Sequence, residues 1–122
     1  MPHLTIEYTS NIQGFNASET LAAMNAILIA SGECEEVDVK SRTLRLDDFQ
    51  IGGNAATARG FVHGELALLS GRSAETKKRL SDELMRGLQK LAEHWSKDLH
   101  IQLSVEIRDM DRASYGKAAI GA

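Results

Sequence analysis

The sequence predicts an α+β fold of two tandem β-α-β units, whose four-stranded sheet carries both helices on one face. Segments of alternating apolar and polar residues, typical of half-buried strands, occur near the start, in the middle and near the end of the chain. Two other stretches repeat apolar residues at helical spacing. The segments 2–8 and 62–68 occupy matching places about 60 residues apart. This spacing indicates an internal duplication, with pseudo-repeats at about 1–46 and 61–122.

The first strand begins almost at the start of the chain, where Leu4, Ile6 and Tyr8 alternate with polar residues. It is headed by Pro2, the only proline. If Met1 is removed, Pro2 becomes a free secondary amine. An α-amino group has a reference pKa of about 8, and burial or a nearby cation lowers it, which would give a rigidly held base at neutral pH. The alternative is that Met-Pro is merely a common way to start a chain.

The rest of the first unit is predicted to be a helix followed by a strand. Asn16, with Glu19 three residues later, is typical of a helix start, and Gly32 suits the position just past the helix end. Residues 37–46 are strand-like, so this unit should contain a crossover between two parallel strands. The apolar face of the helix is formed by Leu21, Met24, Ile27 and Leu28.

Residues 47–60 show no periodicity and are interpreted as the link between the two units. A strand over 61–69 and a helix capped by Ser73 follow, and then an alternating strand over 101–108. The tail, 109–122, is rich in small residues and is interpreted as a short hairpin or an arm that crosses to another subunit. The apolar stripe of the long helix consists of Leu80, Leu84, Leu88, Leu91 and Trp95.

Length and composition predict a single domain, 1–122, of a cytoplasmic protein. The net charge of −3 gives no basis for nucleic-acid binding, and no apolar run is long enough to span a membrane. Cys34 is the only cysteine, which excludes an intrachain disulfide. His3 and His63 occupy matching strand positions, but no carboxylate–histidine spacing supports a metal site, so satisfied histidines on a sheet face are the interpretation.

Several motifs, in order, resemble those of one family. The chain starts Met-Pro-His, and later carries Phe61-Val62-His63 and Gly71-Arg72-Ser73. It also contains VKSRTLRLDD, LLSGRSAETKKRL and a late SYG. On these residues the chain resembles the 5-carboxymethyl-2-hydroxymuconate isomerase family of the tautomerase superfamily. Chains of that family are similar to two fused 4-oxalocrotonate tautomerase subunits.

The resemblance implies a homotrimer and an isomerase of aromatic catabolism that uses Pro2 as its base, without cofactor or metal. The sequence itself favours oligomerisation, since two helices leave one sheet face uncovered. Val62 stands where the second unit would carry the proline, and an internal residue has no free amine. The implied substrate is a small di- or tricarboxylate, which moves a proton along a conjugated system. Other Pro2-dependent activities, or a non-catalytic trimeric binding protein, are the alternatives.

Cations are the expected carboxylate ligands. Arg72 is either such a ligand, able to reach a neighbouring subunit, or a solvated turn residue. Lys40 and Arg42 are two apart on one strand and share a face. By register Lys40 takes the place of the family's arginine, and Arg42 either compensates or is structural. Tyr115 falls where smaller relatives carry an active-site aromatic residue, and it equally fits a core or interface position.

Overall fold

The computed structural model describes residues 1–54 and 58–122. Both β-α-β units are present, which confirms the predicted α+β fold. The first unit comprises β1 (His3–Thr9), α1 (Ala17–Ala30), a 3-10 turn (Glu36–Asp38) and β2 (Lys40–Leu46). The second comprises β3 (Arg59–Leu69), α2 (Ala74–Ala92) and β4 (His100–Met110). The interpretation of 47–60 as a link extends over residues 55–57, which lie outside the described residues.

The four strands form one sheet in the order β2-β1-β3-β4. β1 runs parallel to β2, and β3 runs parallel to β4, while β1 and β3 form the central antiparallel pair. Consequently the starts of β1 and β2 lie at the same end of the sheet as the ends of β3 and β4. This end, marked by His3, Lys40, Leu69 and Met110, is called the proline end below.

Both helix starts follow the sequence signals. The Asn16 side chain accepts a hydrogen bond from the Glu19 N–H at 2.9 Å, and Ser73 accepts one from the Thr76 N–H at 3.1 Å. Gly32 follows the end of α1 with a φ of 80°, a conformation that other residues rarely adopt. The predicted cap positions are therefore confirmed.

Two predicted boundaries are wrong. The strand placed over 37–46 begins only at Lys40, because Asp38 and Val39 donate backbone hydrogen bonds to Glu35 and Glu36 in a tight turn. The helical stripe that was extended to Trp95 ends earlier, since α2 stops at Ala92. Trp95 is nevertheless buried, with 3% of its surface exposed, and it contacts the Phe15 ring.

The core lies between the sheet and the two helices, which both pack on the same face. The helices approach closely at Gly87, where an added Cβ would lie 2.6 Å from Met24 Cε. The buried side chains of this layer include Leu4, Ile6, Met24, Leu28, Val62, Leu66, Leu68, Leu80, Leu84 and Leu88.

None of the described helices packs on the opposite sheet face, which is called the open face below. It presents side chains such as those of His3, Arg42, Leu44, His63 and Glu106, and 48% of the Leu44 surface is exposed. The expected uncovered face is therefore present in the single chain. Among the described helices, none is long and apolar enough to cross a membrane.

After β4 the chain turns at 111–114 and then continues without regular structure. Arg112 ties this turn to the end of β3 by donating to the Ser70 carbonyl at 2.9 Å. The hairpin interpretation of the tail is wrong, because the described residues after Met110 form no strand. The tail instead crosses the proline end of its own sheet, where its side chains reach His3 and Asp38.

Candidate active site

Pro2 lies buried at the head of β1. Its carbonyl accepts a hydrogen bond from the Lys40 N–H at 3.1 Å, so the first residue of β2 fixes the backbone beside it. In the chain as it stands, Met1 precedes Pro2 and carries the terminal amine. Removal of Met1 would transfer that amine to the strand head itself.

The surroundings of the terminal amine favour its neutral form. Burial is the main cause that lowers the pKa of the Met1 amine below its ordinary value of 8.0, and Arg72 and Lys117 lower it further. Asp38 and Cys34 act in the opposite direction without reversing the shift. An amine here is therefore a stronger candidate for a base at neutral pH than an exposed α-amino group.

Arg72 lies within electrostatic reach of the amine and is already held by its own chain. Its Nε donates to the Glu33 side chain at 3.2 Å, and its terminal nitrogens donate to the Glu33 carbonyl at 2.8 Å and to the Leu69 carbonyl at 3.3 Å. A guanidinium has five N–H donors, so these contacts leave donors for a further ligand. Most of the side chain is shielded, with 22% of its surface exposed. It is thus not a freely solvated turn residue.

Lys40 and Arg42 both point to the open face, as their spacing predicts. They have different partners. The Lys40 ammonium donates to the Asp38 carbonyl at 3.1 Å, whereas Arg42 donates to His3 Nδ1 at 2.9 Å. Both side chains lie close enough to His3 to affect its charge. The structure therefore brings both candidate cations to the proline end.

Tyr115 reaches the same place from the tail. Its hydroxyl lies 3.0 Å from His3 Nε2, and the two rings meet edge to face with centroids 6.3 Å apart. Two residues later, the Lys117 ammonium contacts Asp38 Oδ1 at 3.0 Å and the Met1 sulfur at 2.9 Å. The tail thus closes over the start of β1 and contributes both an aromatic hydroxyl and a cation.

Sequence reasoning missed three residues of this cluster: Glu33, Asp38 and Lys117. Lys117 and Asp38 are 79 positions apart, so no local pattern could pair them. Burial raises the pKa of the Cys34 thiol, which disfavours the nucleophilic thiolate.

The two strand histidines do not form a shared site. His3 is paired with Ala67 across the central strands, whereas His63 is paired with Glu7, farther along the sheet. Among residues 1–54 and 58–122, no group of three or more histidine, cysteine, aspartate or glutamate side chains could hold a metal ion. The described cluster instead gathers an amine, four cations, a histidine and a phenol, a set suited to binding a carboxylate and moving a proton.

Comparison with known proteins gives a family over nearly the whole chain. Residues 2–122 match the family model of 5-carboxymethyl-2-hydroxymuconate isomerase. A crystal structure of a 5-carboxymethyl-2-hydroxymuconate isomerase from Deinococcus radiodurans R1 is 30% identical, with a TM-score of 0.84 over 96% of this chain and 88% of that one. The comparison with curated proteins returned no match.

More distant structures share the fold. A crystal structure of 5-carboxymethyl-2-hydroxymuconate delta-isomerase is 16% identical, with a TM-score of 0.72 over 99% of this chain and 89% of that one. A fused 4-OT, described as a wild-type symmetric trimer, is 20% identical, with a TM-score of 0.70 over 95% of this chain and 91% of that one. With the fold and the full-length family match in agreement, this chain belongs to the 5-carboxymethyl-2-hydroxymuconate isomerase family of tautomerase-like isomerases.

Proposed function

We propose that this protein is a 5-carboxymethyl-2-hydroxymuconate delta-isomerase, which uses the free amine of Pro2 as its general base. The observation that carries the proposal is the buried head of β1, where burial and Arg72 lower the pKa of the terminal amine that precedes Pro2, and where Lys40 and Arg42 lie beside the adjacent His3. The family match over residues 2–122 supports the same reaction class. The substrate is a small conjugated carboxylic acid, and the reaction takes place in aromatic catabolism.

The reaction moves one proton. The neutral Pro2 nitrogen takes the hydroxyl proton from the dienol form of the substrate, which leaves the electron pair on that oxygen, and then returns the proton to a carbon farther along the conjugated system. A base with a pKa near the working pH suits both steps, because it must accept the proton and then release it. Nothing is oxidised or reduced, so the chemistry requires neither a redox cofactor nor a metal.

The cations have two roles, which are to bind the substrate and to stabilise the negative charge that develops on it. Arg72 holds a substrate carboxylate, for which its fork of donors is matched. Lys40 and Arg42 face the oxygen on which negative charge grows during proton transfer, where a fixed positive charge lowers the barrier. Tyr115 lies against the same oxygen from the tail. Lysine supplies a point charge where an arginine would supply a fork, so Arg42 provides the directional donors of this pair.

We further propose that the chain forms one domain of two pseudo-repeats and assembles as a homotrimer. In the single chain the open face lacks a covering layer, and apolar side chains such as Leu44 and Val37 are exposed near the edge strand β2. Closing three copies into a ring would cover this face and its edges. Sedimentation should give a trimer at micromolar concentration, and a stable monomer would contradict the assembly.

The test of the function starts from protein whose intact mass shows that Met1 has been removed. Conversion of a muconate-type dicarboxylate should be followed by absorbance for this protein and for Pro2→Ala. We expect kcat/KM to fall by about 10²–10⁴-fold in Pro2→Ala, the range for a lost general base. The wild-type pH profile should rise with an apparent pKa below the ordinary value of about 8. Equal activity of the two proteins would refute the role of Pro2.

A further inference from the structure

His3 links two residues of the proposed site that lie on different elements. Arg42, on β2, lies 2.9 Å from His3 Nδ1. Tyr115, in the tail, lies 3.0 Å from His3 Nε2 through its hydroxyl. Both ring nitrogens are therefore engaged, and each has one partner in this arrangement.

The identity of these partners determines which nitrogen carries the hydrogen. A guanidinium has N–H donors and no acceptor, so His3 Nδ1 must accept from Arg42. A neutral imidazole with an accepting Nδ1 carries its hydrogen on Nε2. That hydrogen can only be donated to the Tyr115 oxygen. The tyrosine then accepts from His3, and its own hydroxyl hydrogen points away from the ring and is free for another acceptor.

We propose that His3 is a positioning residue, which Arg42 holds in the Nε2–H tautomer so that Tyr115 donates its hydroxyl hydrogen to the substrate. The acceptor would be the substrate oxygen that gains negative charge when Pro2 moves the proton. This inference rests on the proposed function and deepens it, since it assigns Tyr115 the direction of its hydrogen bond. An accepted hydrogen bond also polarises the phenol and strengthens the bond that it donates.

The surroundings of His3 disfavour the charged ring that would break this arrangement. Burial lowers its pKa below the ordinary 6.5, and Arg42, Lys40 and the terminal amine lower it further. The nearest carboxylate on β3 along this face, Glu65, is paired with Arg108 at 3.4 Å. A protonated His3 could not accept from Arg42. The neutral ring is therefore the form that the neighbouring charges favour.

His63 provides a matched contrast. Its strand partner is Ser104, just as Lys40 is the strand partner of His3. Its ring contacts the Ser104 hydroxyl at 2.6 Å and the Glu106 carboxylate at 2.9 Å. A carboxylate accepts and cannot donate, so His63 must carry a hydrogen on Nε2 whatever the state of Nδ1. The Nδ1 of His63 contacts a hydroxyl that can either donate or accept, so no cation excludes a hydrogen from this nitrogen.

The tautomer can be measured without any substrate. Long-range ¹H–¹⁵N correlation spectra of the intact protein distinguish the two neutral forms, and His3→Asn identifies the His3 signals. We expect the Nε2–H form near neutral pH, with a titration midpoint below about 6.5. Arg42→Ala should mix the two forms, and Tyr115→Phe should shift the Nε2 resonance. A predominant Nδ1–H form, or signals insensitive to both substitutions, would overturn the proposal even if the protein proves to have no isomerase activity.

Kinetics test the positioning role when the isomerase is active. Tyr115→Phe should lower kcat by about 10²-fold, with a smaller change in KM, as for a lost transition-state donor. His3→Ala should lower kcat about tenfold, and adding it to Tyr115→Phe should cost little more, because both remove one hydrogen-bonded unit. His3→Gln, which keeps an N–H near Nε2, should recover most of the loss, and the control His63→Ala should not change kcat. Additive losses, or no recovery with glutamine, would contradict the assignment.

Discussion

The two halves of this molecule share a backbone plan and differ in chemistry. β1 and β3 each carry a histidine at matching positions, and each runs parallel to the strand that follows it in its own half. The partner of His3 on β2 is Arg42, whereas the partner of His63 on β4 is Glu106. The partner of the histidine has therefore changed its charge between the two halves.

If Pro2 is the base, as proposed above, only the first half supplies the amine on which the reaction depends. In that proposal the free amine is that of Pro2, whereas Val62, at the matching position of β3, is an internal residue without a free amine. Around the start of β1 lie cations from the first half, from the tail and from the β3–α2 junction, whereas the open face of the second half forms an internally neutralised network. In that network Glu106 is bound by His63 and Arg108, and its hydrogen bond with His63 is the main reason that its pKa is lowered. Substitutions at matching positions should therefore lower activity in the first half and leave it unchanged in the second.

The largest effect should come from blocking the amine. In a chain that carries one extra residue before Pro2, the Pro2 nitrogen is part of an amide and has no usable basicity. We expect kcat/KM to fall by more than about 10⁴-fold, at or beyond the upper limit for losing a general base. The measurement is the same absorbance assay, on protein whose extension is verified by mass.

The matched control for the blocked amine is Val62→Ala, at the position within β3 that matches Pro2 about 60 residues earlier. Val62 is fully buried, so its truncation should lower the free energy of unfolding by about 2 kcal/mol while kcat/KM of the folded protein stays unchanged. Activity that survives the extension, or is lost in Val62→Ala protein that is still folded, would remove the distinction between the two halves.

The second effect tests the charge inversion directly. Arg42→Glu gives His3 a carboxylate partner, as His63 has in Glu106, so His3 Nδ1 would have to donate rather than accept. We expect kcat to fall by about 10²–10³-fold, because a positive charge beside the growing oxyanion becomes negative and Tyr115 loses its fixed partner. Glu106→Gln is the control on β4, and it should leave kcat unchanged. Wild-type kcat in Arg42→Glu would place this cation outside the site.

The third effect concerns ground-state binding. Arg72→Ala should raise KM about tenfold with little change in kcat, the signature of an interaction made equally with substrate and transition state. Arg79→Ala is a close control, because Arg79 contacts the same Glu33 carboxylate at 3.3 Å from the next turns of α2. If both variants raise KM equally, the increase is caused by the loss of an ion pair with Glu33 and not by the loss of a contact with the substrate.

The sequence predicted the fold well because the relevant signals are local. Alternation, helical spacing and caps such as Asn16 and Ser73 each depend on residues a few positions apart. Where a local turn competed with strand formation, as at Glu36–Asp38, the boundary was wrong. The matching places of segments 2–8 and 62–68 also indicated that the second half contains the same parallel crossover as the first.

The candidate site was predicted only in part, because its remaining contacts join distant segments. Pro2, Arg72, Lys40, Arg42 and Tyr115 were selected from the sequence, and all of them lie around the proline end. The role of His3 depends on Arg42 and Tyr115, which are 39 and 112 positions away. The contact of Lys117 with Asp38 depends on the path of a tail without regular structure. Such contacts leave no periodicity that a sequence could reveal.

The smallest effect should come from Lys117, and it separates the tail's charge from its aromatic hydroxyl. Lys117 lowers the pKa of the terminal amine directly, and it also pairs with Asp38, which raises that pKa. Lys117→Ala removes the cation and frees the carboxylate, so both changes raise the pKa of the amine. Because the amine acts in its neutral form, the rising limb of kcat/KM should move to higher pH by roughly a few tenths of a unit, as expected for an exposed ion pair.

At pH 7 the same shift should reduce kcat/KM in Lys117→Ala by less than about threefold, and added salt should shrink the difference from wild type. Lys78→Ala, which removes a surface ion pair with Asp82 on α2, is the matched control and should leave the profile unchanged. A limb that does not move to higher pH in Lys117→Ala would mean that neither Lys117 nor the freed Asp38 acts on the amine. In that case the tail would contribute to the site through Tyr115 alone.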